Sequence, residues 1–279
     1  MVRPASVLTR RGHDLGRLAV LTALAALALP ATAAAASASL TVPAAHVRFT
    51  LEPDGVVDVL EVIELRAKGP FAARRELSMQ QGELFADPSV VVNDRLLSAG
   101  DGRTPGTFRV SRGARGIRFD WRQPRGRGSV RLGYRLALVG TAYSDVVDLR
   151  VPVWEGDWPT GVDRLTTALR YPRPAHRRVF AWIEPDSLDS TVTKTTREVR
   201  TRTAAIPAGK RVTLRVVFPR DVLESVAGLK VEKKAGLASI LAERNGGHGW
   251  WPWALGAALV LILGGVALRT VRSRRPRPR

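Results

Sequence analysis

The stretch GIRFDWRQPRGRGSVRLGYRLALV, residues 116–139, decides the fold class. In IRFDW, Ile117, Phe119 and Trp121 alternate with Arg118 and Asp120; in VRLGYRLAL, Val130, Leu132, Tyr134 and Leu136 alternate with Arg131, Gly133 and Arg135. A period of two sends successive side chains to opposite faces of an extended chain, so each segment has one buried and one solvated face. Outward from this stretch, similar runs recur about every ten residues between glycine, proline and aspartate signals. They are HVRFTL (46–51), VVDVLEVIEL (56–65), PSVVVN (88–93), TFRVS (107–111) and SDVVDLRVPVW (144–154). RLTTALRYP (164–172), RVFAWIE (178–184), TVTKTTREVRTRTAAI (191–206) and RVTLRVVF (211–218) complete the series. The spacing predicts a mostly β fold, an antiparallel β-sandwich over residues 39–220. Pro53-Asp54-Gly55 predicts a hairpin between its first two strands, because glycine adopts positive φ cheaply.

After the last strand the period changes. Val222, Leu223, Val226, Leu229, Leu237, Ile240 and Leu241 form a partial helical stripe broken at Gly228 and Gly236, which predicts a short helical stalk and linker over residues 221–249. The two ends predict export and anchoring. Basic residues, then LAVLTALAALAL (18–29), Pro30 and small residues form a signal peptide over 1–38. As a helix that apolar run would cover only about 18 Å of a hydrocarbon core about 30 Å thick. Residues 250–268, WWPWALGAALVLILGGVAL, would cover about 28 Å and read as one transmembrane helix. Trp250, Trp251 and Trp253 match an interfacial aromatic belt, and Arg269 and Arg272 open a basic cytoplasmic tail over 269–279. The orientation places the β domain outside the cell membrane.

The net charge of +19 over 279 residues raises the question of a polyanionic partner. A large share belongs to the ends, where Arg3, Arg10, Arg11 and Arg17 face only Asp14 and the tail carries no acid. The remaining excess is scattered over many strands, which argues against nucleic acid while leaving adhesion to anionic envelope polymers open. With no cysteine there are no disulfides, thiolate metal sites or thiol nucleophiles, and no cofactor motif is present.

The order DGVVDVLEVIEL, then Arg74-Arg75-Glu76-Leu77, then IRFDW, YRLALVGTAYSDVVDLRVPVWEGDWP and VVFP resembles one family. It is similar to the N-terminal extracytoplasmic domain of the predicted membrane proteins known as domain of unknown function 2207. Asp54, Gly55 and Glu61 match its turn and glutamate-bearing strand; Tyr134, residues 143–148, Trp154 and Trp158 match its most specific stretch. The resemblance covers about residues 46–219. It implies an exported β domain with a membrane anchor and supplies no reaction. Its usual longer C-terminal part implies further membrane segments, whereas this sequence reads as a short, single-anchor form.

Catalytic groups are sparse. Only His46 and His176 fall inside the domain, too few for a histidine-rich metal site, and no Gly-x-Ser-x-Gly elbow or phosphate loop occurs. Asp145 and Asp148, followed by Glu155 and Asp157, have the residue types of glycosidase carboxylates or calcium ligands, and equally those of turn caps and arginine partners. Trp154 and Trp158 are candidates for stacking on sugars, or for core packing at a strand end. The expectation is a non-enzymatic, membrane-tethered module that binds an envelope component or another membrane protein. The alternatives are an envelope hydrolase with a carboxylate site and a structural subunit of a larger membrane complex.

Overall fold

The computed structural model describes residues 40–113, 116–156 and 158–246. The expected signal peptide, transmembrane helix and basic tail lie outside them, and so do Trp250, Trp251, Trp253, Arg269 and Arg272. In chain order the strands are β1 (Ala45–Leu51), β2 (Val57–Arg66), β3 (Phe71–Ser78), β4 (Leu84–Val92), β5 (Arg95–Leu96) and β6 (Ser98–Ala99). Next come β7 (Thr107–Gly113), β8 (Gly116–Gln123), β9 (Arg127–Ala137), β10 (Gly140–Ala142), β11 (Val146–Trp154) and β12 (Val162–Arg170). Then follow β13 (Phe180–Glu184), β14 (Ser190–Lys194), β15 (Glu198–Ile206), β16 (Val212–Pro219), β17 (Lys230–Val231) and helix α1 (Leu237–Gly246).

These strands form an eight-stranded sheet in the order β14-β15-β12-β1-β2-β9-β4-β5, a five-stranded sheet β13-β16-β11-β10-β17 and a four-stranded sheet β3-β8-β7-β6. The inward sets share one core: Val47, Phe49 and Leu51 from β1, Val57, Val59 and Ile63 from β2, and Val130, Leu132 and Leu136 from β9. Burying one such side chain fully contributes about 1.5–3 kcal/mol, so alternation on each strand selects the face that turns inward. Strand β11 is buried on both faces over Val146–Leu149, which places it between the core and another layer.

Three expectations need correction. The sheets are mixed, not purely antiparallel: β1 runs parallel to β12, from Ala45 opposite Leu165 to Thr50 opposite Arg170, and β10 runs parallel to β17. Alternation specifies a strand's faces but carries no information about the direction of its neighbour. The single run expected over 191–206 is a hairpin of β14 and β15, because the Thr195 hydroxyl accepts from the backbone N–H groups of Arg197 and Glu198 and turns the chain without glycine or proline.

The residues expected as a stalk are, up to residue 246, part of the domain. The N–H groups of Glu224 and Gly228 donate to the carbonyls of Pro53 and Asp54, and Leu138 N–H donates to the Gly228 carbonyl. Leu229 is buried against the β1–β2 turn, where Gly55 has φ of 90° and a Cβ there would lie 2.7 Å from the Leu229 side chain. Helix α1 then covers the outer side of the five-stranded sheet, with Ile240 packed among Val146, Trp182 and Val217. The apolar stripe seen in the sequence thus faces this protein's own sheet. The hairpin expected at Pro53-Asp54-Gly55 is present, its Asp54 carboxylate accepting from Val56 N–H at 3.0 Å.

Candidate functional site

Strand β3 is hard to see in sequence because its inward series is Ala73, Arg75, Leu77, with a charge at a core position. Arg75 is 0% exposed and its partner Glu61, inward on β2, is 1% exposed. Arg75 Nε donates to Glu61 Oε2 at 2.9 Å and Nη2 to Oε1 at 3.3 Å, while the Tyr134 hydroxyl donates to Oε1 at 2.6 Å. Burial first, and then the Glu61 charge, push the Tyr134 phenol well above its ordinary range, so it stays a donor. The Arg75 guanidinium also lies 5.2 Å from the Trp154 ring centroid. This cluster joins all three sheets.

Trp154 and Trp158 stack with centroids 5.9 Å apart and planes 17° apart, at 1% and 4% exposure. They are core residues, with no face open to a ligand. Glu155 is also buried; it accepts from Ser78 N–H at 2.9 Å and pairs with Arg211 Nε at 2.8 Å. Asp157 lies outside the described residues.

Asp145 and Asp148, close in sequence, have separate tasks. Asp148 sits on β11 and takes a two-pronged bond from buried Arg215 on β16, at 2.9 and 2.8 Å. Arg215 also donates to Glu243 of α1 at 3.0 Å, and Arg150 reaches the same carboxylate at 3.1 Å. The Trp182 ring receives the guanidinium of Arg215 at 5.2 Å and that of Arg244 at 4.4 Å. Asp145 accepts from Gly236 N–H at 2.7 Å and Leu237 N–H at 3.2 Å, capping the start of α1.

Burial opposes ionisation of Asp145, but the N–H groups of Gly236 and Leu237 prevail and hold its carboxyl below the ordinary value. The Arg215 hydrogen bond leads the same effect at Glu243. Because both carboxyls titrate lower when α1 is docked, their stabilisation is complete above the ordinary carboxylate range and is lost as pH falls through the lowered values. Asp145→Ala is expected to loosen α1 by about 1 kcal/mol. Hydrogen exchange should show this as faster exchange of the α1 amides at neutral pH; unchanged rates would exclude the cap.

The open feature is elsewhere, on the outer face of the eight-stranded sheet. Two cross-strand rows run over β2, β1, β12, β15 and β14: Val62, His46, Thr166, Arg202, Thr191, and beside it Leu60, Arg48, Ala168, Arg200, Thr193. They line a groove of about 480 Å³ with half-buried Leu60, Val62 and Ala168 at its floor and exposed arginines and threonines around it. At the usual strand separation each row is about 19 Å long. His46 bonds Thr166 Oγ1 at 2.5 Å, whereas His176 is exposed at a distance in sequence and has no part in the groove. The sequence signal for this face was the alternation Arg200-Thr201-Arg202-Thr203, visible but indistinguishable from any solvated strand face.

The Glu61-Arg75-Tyr134 junction and the paired tryptophans lie within a stretch with a family match. Residues 41–218 match the model described as predicted membrane protein (DUF2207) N-terminal domain. The chain belongs to this family. The junction therefore belongs to the N-terminal domain of a DUF2207 protein, and Glu61, Tyr134, Trp154 and Trp158, which carried the sequence resemblance, are all buried parts of its framework. No curated protein matches the chain in sequence. Among solved structures, a candidate protease from Parabacteroides distasonis is 11% identical with a TM-score of 0.37, covering 64% of this chain and 40% of that one. A candidate nutrient-binding protein from Legionella pneumophila is 10% identical with a TM-score of 0.37, covering 63% and 66%. Leukotriene A4 hydrolase from Saccharomyces cerevisiae is 11% identical with a TM-score of 0.37, covering 64% and 29%. The DUF2207 chain spans less than two thirds of each of these proteins, and likenesses this slight carry no activity across. Among the described residues, no helix is long and apolar enough to cross a membrane.

Proposed function

We propose that this DUF2207 protein is an extracytoplasmic interaction module, held at the cell membrane by residues 250–268, that engages an envelope component through the outer face of its eight-stranded sheet. The observation that carries this is the groove across five strands: a rigid backbone presents ten side chains in two registered rows, and its exposed polar groups have an accessible apolar floor. Binding sites commonly combine such a floor with a few placed polar groups. Asp145 and Asp148 have structural tasks that speak against hydrolysis through them: the first holds the α1 amides and the second holds Arg215.

The test is site-specific photocrosslinking of the full-length protein in its native membrane. A photoreactive residue at Thr193, in the groove, should capture a reproducible species, and one at Arg103, on an exposed loop, should not. Equal capture from both positions, or none from Thr193, would remove the groove as the interaction site.

A further inference from the structure

We infer that the groove binds a linear polyol phosphate, a chain of hydroxylated units joined by phosphodiesters; this rests on the interaction-module reading and adds the ligand's chemistry. Charge is the first ground. Among the described residues, four arginines line the groove against one carboxylate, Glu198. Glu198 is shared by Arg200 at 2.8 Å and Arg170 at 3.6 Å, while Arg48 and Arg202 have no ion-pair partner among the described residues. These two guanidinium groups stand two strands and one row apart, a backbone separation of about 12 Å from the sheet spacings. That separation suits an anion repeated along a chain better than one compact anion. A guanidinium fork takes two oxygens of a phosphodiester at once.

The second ground is the rest of the lining. The hydroxyls of Thr166, Thr191 and Thr193 stand between and beside the arginines, where they can exchange hydrogen bonds with ligand hydroxyls. Among the described residues no Trp, Tyr or Phe lines the groove, so these residues offer no stacking platform of the kind on which single-stranded nucleic acids and sugar rings are held. Strands β2, β1, β12 and β15 are paired on both sides, so their backbone groups are spent within the sheet. A peptide added as a further strand therefore has no ladder to join over most of the groove. What remains is side-chain recognition of charge and hydroxyl along about 19 Å.

The test uses the full chain in nanodiscs of zwitterionic lipid and soluble poly(glycerol phosphate) as the probe. Saturable binding is expected, weakening as salt rises. The double variant Arg48→Gln/Arg202→Gln should lose about tenfold or more in affinity, while Arg103→Gln/Arg112→Gln, equal in charge change but outside the groove, should stay within about twofold. No binding by the unaltered protein, equal losses from the two pairs, or equally tight binding of a single-stranded oligonucleotide would overturn the ligand assignment. Crosslinking from Thr193 separates the two levels. A captured protein in place of polymer overturns the polyol phosphate and leaves the module standing, and no capture together with no binding overturns both.

Discussion

Arg75→Ala is expected to lower the unfolding free energy by about 3–5 kcal/mol, among the largest effects of any single replacement in the domain. The cause is what the change leaves behind. Glu61, 1% exposed, would keep the Tyr134 hydroxyl and lose both guanidinium donors, so an ionised carboxylate would stand uncompensated among Val, Leu and Trp side chains. The contact with the Trp154 ring would go as well. Arg75→Lys should recover little, since an ammonium cannot reproduce the two-pronged bond. Replacing both charges, as Arg75→Met/Glu61→Leu, should be milder than Arg75→Ala, because a buried pair replaced by apolar groups leaves no orphan charge. Urea unfolding of the full chain in micelles, followed by tryptophan fluorescence, measures this. A loss below about 1 kcal/mol for Arg75→Ala would mean that water reaches Glu61.

Arg215→Ala should cost a similar amount, about 3–5 kcal/mol, but with a different signature. It leaves Asp148, 5% exposed, with only the longer contact from Arg150 at 3.4 Å and Glu243 with Arg150 alone, so the damage combines a poorly compensated buried charge inside the five-stranded sheet with weaker docking of α1. Glu243→Gln weakens the contacts of α1 with Arg215 and Arg150 and leaves the Arg215–Asp148 pair in place. With Glu243 56% exposed, that exchange should cost about 0.5 kcal/mol or less in global stability. Hydrogen exchange resolves the two: Glu243→Gln should speed exchange in α1 alone, whereas Arg215→Ala should speed it in α1, β11 and β16 together. Loss of protection confined to α1 in Arg215→Ala would show that Arg150 alone suffices to hold Asp148. The Arg215–Glu243 pair fastens α1 to the five-stranded sheet and so continues the folded domain up to residue 246.

The candidate site was legible only in part. Asp145 and Asp148 stand three positions apart in the sequence, yet one turns toward α1 and the other toward β16, contacts made across 91 and 67 positions of chain. Trp154 and Trp158 drew attention as a pair and are a pair, stacked on each other inside the core. Arg75 was noted as part of an arginine-bearing segment, but its burial opposite Glu61 had no local sign, since an arginine reads as a solvated position until its partner is known. The groove was least legible, because Arg48 and Arg202 come onto one face only when β1, β12 and β15 are laid side by side.

What the sequence by itself determined is local: most of the longer strands, the inward face of those that alternate, the hairpin at Gly55 and the family. Period-two alternation and turn chemistry are properties of a few consecutive residues, so they survive without the rest of the molecule. Only the tertiary structure decided which strands pair and in which direction, that β3 carries a neutralised charge into the core, that residues 223–246 pack back onto the domain, and that one sheet face remains open. Each depends on groups brought together from distant parts of the chain. Their energies come from desolvation and pairing across that distance, and no window of neighbouring residues contains both partners.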